Sequence, residues 1–417
     1  MKKLFIVSDM IDPAKGSEFR IALKPLEILK SEFCANFAKE ITLIVPTRND
    51  NIENLQLWLK EQGITNVIIK AVKFERQLEN GNHKSKYEFI RDLITFYEQT
   101  RVLIPKNTEA ANLIFKCGQV NWFFYLLFLV FFKREKSEKI ICAPVSGFSY
   151  INLSDCIGLP FRSKFYYLCY NGIIWIARKI FKYVFVPNEK YHFLFATYSD
   201  CKIFFPKKHQ SRIYSEIDVS SGLYSDFGIT NDDRYSEILL GRKSLLWSGH
   251  LVQRKNPLLA VTIISNLLEM DEDLDVVFVG DGPLIKEVEL AMVTSGLTTN
   301  KRFTYMSKLP RPRFLELIKQ VDFVLITSLR EVNSLFFQEA LAASRIIIAL
   351  KNSGLRDFDL ANVHLIDTKL IHSENGITAF VNRVLQEKST NFRDTSKVLE
   401  LRGELERNNI INLLESL

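Results

Sequence analysis

Two carboxylates, Glu331 and Glu339, enclose a polar loop and the start of a helix, with seven residues between them. Asn333 and Ser334 each carry a side-chain oxygen able to cap that helix by accepting from a free backbone N–H. The N–H groups of Ser334, Leu335 and Phe336 then converge on one spot, backed by the positive end of the helix dipole. Such a helix start suits an anion, and a diphosphate in particular. Carboxylates do not serve the anion itself. They are acceptors only, and they fix hydroxyl groups. An anion flanked by hydroxyls on both sides describes a nucleotide sugar.

The elements around this loop explain how it would be held. Residues 321–326 (VDFVLI) form an almost unbroken apolar run, as expected of a strand buried on both faces. Thr327 and Ser328 follow as a polar turn, then Arg330 and Glu331. From Ser334 the apolar residues recur at helical spacing, and residues 345–350 read as another buried strand. The loop therefore leaves the carboxyl end of a strand, where open parallel sheets bind ligands.

The stretch SLREVNSLFFQEALAAS, with Glu331 and Glu339 at the E-x7-E spacing, resembles the donor motif of the family 4 retaining glycosyltransferases. Asn333 and Ser334 stand where that family usually has Gly. Trp247 to Lys255 (WSGHLVQRK) resembles the family's G-R-L-x-x-x-K loop, with His250 in place of its Arg, and Val279 to Pro283 (VGDGP) resembles its G-D-G-P turn. Ala143 to Tyr150 (APVSGFSY) is similar to the G-P-V-G-G segment of a subgroup. The resemblance implies the GT-B fold, an α/β architecture of two Rossmann-like, doubly wound parallel-sheet domains facing a central cleft. It implies that Glu339 holds the nucleotide ribose and Glu331 the donor sugar. Lys255, supported by Arg254, would meet the leaving diphosphate together with the helix start at Asn333, Ser334, Leu335 and Phe336. Gly249, His250, Gly280 and Gly16 would line the donor, and Ser146 with Gly147 the acceptor side. Neither a metal nor a cofactor is implied beyond the nucleotide-sugar substrate, UDP- or GDP-linked.

The length of 417 residues suggests two domains, and a hydrophobic share of 47% excludes a disordered chain. In residues 1–205 strand-like and helix-like segments alternate, with strands expected at 3–8, 41–46, 67–72, 101–104, 139–143, 183–186 and 202–205. Residues 206–243 read as linker and start of the second domain. Residues 244–395 restart the alternation as the nucleotide-sugar domain, and 396–417 as a terminal helix that the resemblance returns to the first domain. The six cysteines are scattered without a C-x-x-C pair and read as reduced core residues of a cytoplasmic protein.

The net charge of +7 is uneven: residues 71–215 hold 22 Lys/Arg against 11 Asp/Glu. The same half is aromatic. Residues 122–132 (WFFYLLFLVFF) are too short to span a bilayer, which needs roughly 20 residues. They read either as a buried helix or, with residues 161–186, as a basic aromatic face on an anionic membrane. No motif supports nucleic acid.

The histidines lack metal-ligand spacing, and neither a G-x-S-x-G nor a phosphate-binding G-x-x-x-x-G-K-[ST] occurs. The expected activity is transfer of a hexose-type sugar to a lipid-linked or saccharide acceptor in surface polysaccharide assembly (lipopolysaccharide or capsule), peripherally on the inner membrane face. A non-catalytic GT-B scaffold and a GT-B nucleotide-sugar epimerase share the same motifs. A nicotinamide dehydrogenase would share the doubly wound sheets, but no G-x-G-x-x-G turn is present.

Overall fold

The structure is a computed structural model and describes residues 3–9, 41–47, 51–65, 67–73, 86–104, 113–117, 122–132, 139–205 except 146, 158, 196 and 197, and 243–386 except 332, 333, 344, 353, 356–359, 370 and 372. The chain divides into two compact units. One comprises Met1–Phe148, Ile176–Val219 and Glu404–Leu417; the other comprises Ser149–Trp175 and Ser220–Gly403.

The first unit holds β1 (Leu4–Ser8), β2 (Ile41–Thr47), α1 (Asn51–Glu61), β3 (Val67–Lys73), α2 (Lys86–Leu103), β4 (Leu113–Cys117), α3 (Trp122–Phe132) and β5 (Lys139–Val145). α4 (Phe161–Ile180), whose residues up to Trp175 belong to the second unit, runs on into one π-helical turn, Phe181–Phe185, and is followed by β6 (Tyr191–Phe195) and α5 (Tyr198–Phe204). The strands form one sheet of order β3-β2-β1-β4-β5-β6, with every pairing parallel. A parallel sheet needs crossover helices, and these cover both faces. Leu4, Ile6, Leu43 and Ile141 pack to one side, and Phe5, Val7, Ile114 and Ile140 to the other.

Three expected strands of this unit fall elsewhere. Residues 101–104 close α2, whose Leu93, Phe96 and Tyr97 are fully buried; a four-residue apolar run fits a helix end as well as a strand. The strand is instead Leu113–Cys117, disguised by Lys116 in its middle. Residues 183–186 fall at the π-helical turn that extends α4, with Phe181 and Phe185 inward, and the next strand is Tyr191–Phe195. Residues 202–205 belong mostly to α5.

The second unit comprises β7 (Lys243–Ser248), α6 (Pro257–Met270), β8 (Leu274–Val279), α7 (Ile285–Thr294), β9 (Phe303–Met306), α8 (Arg311–Gln320), β10 (Phe323–Ile326), α9 (Leu335–Ala342), β11 (Ile346–Leu350), β12 (Val363–Ile366) and α10 (Glu374–Leu385). Its strands follow the expected succession and add β12, giving the order β12-β11-β10-β7-β8-β9, again all parallel. Trp247 stacks on Phe278 with ring centroids 4.2 Å apart, and both are buried beneath α6 and α10. Each such buried side chain contributes roughly 1.5–3 kcal/mol.

In both sheets the chain reverses its winding direction once, between β1 and β4 and between β7 and β10. That switch point separates two loops leaving neighbouring strands at their carboxyl ends, and doubly wound proteins bind ligands there. In the second unit the two loops are 249–256 and 327–334.

Candidate functional site

The pairing of β7 with β10 brings the two loops together, and their backbones lock. Leu329 N–H donates to the Arg254 carbonyl at 2.8 Å. The Thr327 hydroxyl lies 2.9 and 3.1 Å from the carbonyl oxygens of Lys255 and Asn256, and accepts from Trp247 Nε1–H at 3.0 Å. Asn256 adopts φ 48°, ψ 55°, a left-handed conformation that Asn tolerates better than most residues. It turns the chain sharply into Pro257 at the first position of α6 and leaves Lys255 on the edge of the site.

Lys255 Nζ is ion-paired and hydrogen-bonded to Glu331 Oε1, and Arg254 Nη1 lies 3.7 Å from Glu331 Oε2. Arg254 Nη1 also donates to the Arg330 carbonyl at 3.1 Å. Glu331 is buried, which alone would push its carboxyl pKa up. Lys255 and Arg254 beside it, with hydrogen bonds from Lys255 and Ser328, outweigh the burial and hold it below the ordinary carboxylate value. The loop is fixed from the far side by Asn352, which is 2% exposed. Its side-chain oxygen accepts Glu331 N–H at 3.1 Å, and its amide donates to the Ser328 carbonyl at 2.9 Å.

Ser334 caps α9, its hydroxyl accepting Phe337 N–H at 3.4 Å. Leu335 and Phe336 supply the first-turn N–H groups of the helix. Glu339 lies on the following turn among the buried residues of α9. Gly249 N–H donates to the Val279 carbonyl and Leu251 N–H to the Asp281 carbonyl, so the loop after β7 is zipped to the Gly280–Gly282 turn. A side chain on Gly280 would meet the Gly249 carbonyl oxygen at 2.6 Å, so glycine is required there. At Gly249 a Cβ would reach only ordinary contact, 3.4 Å from the Trp247 ring. His250 Nδ1 lies 2.7 Å from the Asp281 carbonyl. A carbonyl only accepts, so Nδ1 carries the proton and the ring is anchored to that turn.

The structure thus joins Glu331, Lys255 and Arg254 directly, sets Ser334, Leu335 and Phe336 three to five residues further along the same loop and helix, and packs Gly249, His250 and Gly280 into one turn system. Gly147 belongs to the first unit, where its N–H donates to Asp200 Oδ2 at 3.0 Å and its φ is 90°. Gly16, Ser146 and Asn333 lie outside the described residues.

Sequence reasoning placed Thr327 and Arg330 in the loop after the strand and Asn352 just beyond the next one, but gave none of the three a role. The available signal for Asn352 and Thr327 was a polar residue directly after a buried strand, at the same carboxyl edge. Arg330 is held by α4: its Nη1 donates to Tyr170 OH at 2.9 Å, and its guanidinium carbon lies 5.2 Å from the Tyr170 ring centroid. Arg254 and Lys255 set two cations against the Glu331 carboxylate, while the Arg330 guanidinium is turned to Tyr170 and the Glu339 carboxylate lies buried on α9. Among the described residues no group of three or more His, Cys, Asp or Glu could hold a metal ion.

Residues 229–393 match the family model described as Glycosyl transferases group 1. No curated protein matches the sequence. Among solved structures, a UDP-forming trehalose-phosphate synthase from Burkholderia xenovorans superposes with a TM-score of 0.65 at 12% identity, covering 100% of this chain and 99% of that one. An E. coli structure described as trehalose-6-phosphate bound with UDP-2-fluoro glucose gives 0.62 at 11%, covering 100% and 98%. Sucrose-phosphate synthase from Thermosynechococcus elongatus gives 0.60 at 12%, covering 100% and 95%. The chain therefore has the GT-B fold of two Rossmann-like domains, and its residues 229–393 carry a glycosyl transferases group 1 domain.

Proposed function

We propose that this chain is a retaining glycosyltransferase of the family 4 type, moving a hexose-type sugar from a UDP- or GDP-linked donor to a lipid-linked or saccharide acceptor. Surface polysaccharide assembly at the inner face of the cell membrane is the setting that fits it. The observation that carries the reading is the pair of cations, Lys255 and Arg254, on Glu331 at the switch point of the second sheet, beside the start of α9. The diphosphate of a nucleotide sugar is an anion, and two cations beside a helix start suit it.

In this reading Lys255 and Arg254 face the diphosphate with the N–H groups of Ser334, Leu335 and Phe336. When the bond from the sugar to the distal phosphate breaks, negative charge grows on that phosphate, and these donors are already in place for it. Glu331 binds the donor sugar while keeping Lys255 oriented. Glu339 takes the ribose hydroxyls, and the backbone at Gly249 and Gly280 approaches the nucleotide. Gly16, Ser146 and Gly147 are assigned to the donor-facing and acceptor sides of the first domain. The domain limits 1–205, 244–395 and 396–417 belong to the same proposal.

Two of the solved neighbours are described as a trehalose-phosphate synthase and a sucrose-phosphate synthase, so a soluble sugar phosphate is the competing acceptor. Titrating the protein with UDP, GDP and their glucose conjugates by calorimetry tests the donor half. Binding of one nucleotide series, lost in Lys255→Ala, supports it. Absence of binding to all of them contradicts it.

A further inference from the structure

Two apolar stretches of the chain have opposite fates in the fold. α3, the run WFFYLLFLVFF, turns Trp122, Tyr125, Phe128, Leu129 and Phe132 into the core. α4 does the reverse. It buries only a narrow stripe, with Ser163, Tyr167, Ile174 and Ala177 inward. Phe161, Phe165, Tyr166, Leu168, Ile173 and Trp175 are each more than half exposed, Phe161 at 81%. Half of the large hydrophobic side chains that the described residues expose fall between Phe161 and Val184. A helix of 20 residues is about 30 Å long. An apolar face of that length on one helix marks an interaction surface, whereas singly scattered exposed residues would need no explanation.

The charges on the same stretch select the partner. Residues 161–185 contain Arg162, Lys164, Arg178, Lys179 and Lys182, and neither Asp nor Glu. Four of the five basic residues point to solvent, while Arg178 donates inward to the Phe148 carbonyl at 2.7 Å. Lys179 and Lys182 both lie over the Tyr183 ring, at 5.6 and 5.8 Å from its centroid. Protein–protein interfaces are depleted of lysine at their cores. Aromatic and aliphatic side chains edged by lysines, with acidic residues excluded, fit the boundary between anionic headgroups and acyl chains.

We propose that the exposed face of α4 docks on an anionic lipid bilayer, with Phe161, Phe165, Leu168 and Trp175 entering the headgroup boundary and Lys164, Lys179 and Lys182 meeting the headgroups. The contact is with the surface, since among the described residues no helix is long and apolar enough to cross a membrane. The inference deepens the acceptor half of the proposed function, because a lipid-borne acceptor lies in such a surface, but it is read without any sugar transfer.

The test is co-sedimentation of the full chain with vesicles of phosphatidylcholine alone and of phosphatidylcholine containing one-third phosphatidylglycerol. Binding is expected to the mixed vesicles and to fall as salt rises. It should be lost in Phe165→Ser/Trp175→Ser, and each of Lys164→Gln, Lys179→Gln and Lys182→Gln should weaken it about fivefold. Thermal melting of each variant checks that the fold is intact. Equal binding to both vesicle types, or none to either, overturns the proposal. So does a dimer of the parent chain in sedimentation equilibrium that becomes monomeric in Phe165→Ser/Trp175→Ser, since the face would then belong to a second copy. Vesicle binding without binding of any nucleotide would refute the transferase reading and leave this one standing.

Discussion

Lys255 and Glu331, 76 residues apart in sequence, are ion-paired across the switch point of the second sheet, with Arg254 on the other oxygen of the same carboxylate. The pair has a direct consequence for pH. The Glu331 carboxyl sits below its ordinary value, burial notwithstanding, because two cations and two hydrogen bonds favour its charged form. A carboxylate with a lowered folded pKa contributes stability that is fully present above its unfolded value, about 4.3, and is lost as pH falls through the folded value. The gap in unfolding free energy between the parent and Glu331→Gln should therefore stay level from about pH 8 to about pH 5 and close in stronger acid. Urea denaturation at several pH values measures it. A gap that widens in acid would contradict the assignment.

Asn352 makes a sharper structural prediction. It satisfies the N–H of Glu331 and the carbonyl of Ser328 at once, both in a buried loop. Asn352→Leu leaves two polar groups without partners and should cost about 2–6 kcal/mol, at roughly 1–3 kcal/mol for each group. Nucleotide affinity should fall with it, because the loop bearing Glu331 loses its backing. A stable variant with unchanged affinity would show that the loop holds itself.

The glycines separate scaffold from contact. Gly280→Ala forces a methyl group to 2.6 Å from the Gly249 carbonyl oxygen, which backbone cannot easily yield, and should destabilise by about 1–3 kcal/mol. Gly249→Ala meets nothing closer than 3.4 Å and should leave stability within about 0.5 kcal/mol. A loss of nucleotide binding in that variant would then report ligand close to the Gly249 backbone. Calorimetry together with thermal melting reads both effects.

In the first unit, Lys116 is completely buried on β4 and paired with Asp9 Oδ1 at 2.8 Å, while Tyr97 OH donates to Asp9 Oδ2 at 2.9 Å. Removing one ion strands the other. Lys116→Met should cost about 3–5 kcal/mol, and Lys116→Met/Asp9→Leu should recover much of that loss. Purely additive losses in this double-mutant cycle would contradict a coupled pair.

These residues also show what could be read in the sequence. The second unit was legible because its strands are plain apolar runs and its loops carry Gly, Lys and Glu at recognisable spacing; only β12, four residues long and partly exposed, escaped. The first unit was less so. β4 hides Lys116 inside a strand, which makes sense only once Asp9 is known to neutralise it, and α4 and its π-helical turn carry β-branched and aromatic residues that also suit strands. In the site, Glu331 and Lys255 could be named from the sequence, but their pairing could not. It depends on β7 lying beside β10, a neighbour relation between distant segments. The contacts of Asn352 and Tyr170 with this loop were hidden for the same reason.

The central claim is that the charged edge around Glu331 holds the diphosphate of a nucleotide sugar during transfer. Slow donor hydrolysis across UDP-, GDP-, ADP- and CMP-sugars tests it most directly, with Glu331→Gln and Lys255→Ala beside the parent chain. Nucleotide release from one donor, reduced by about 10²–10³-fold in both variants while their melting temperatures show them folded, is the predicted result. Release that persists in both folded variants would place the chemistry elsewhere, and release from no donor at all would contradict the transferase reading itself.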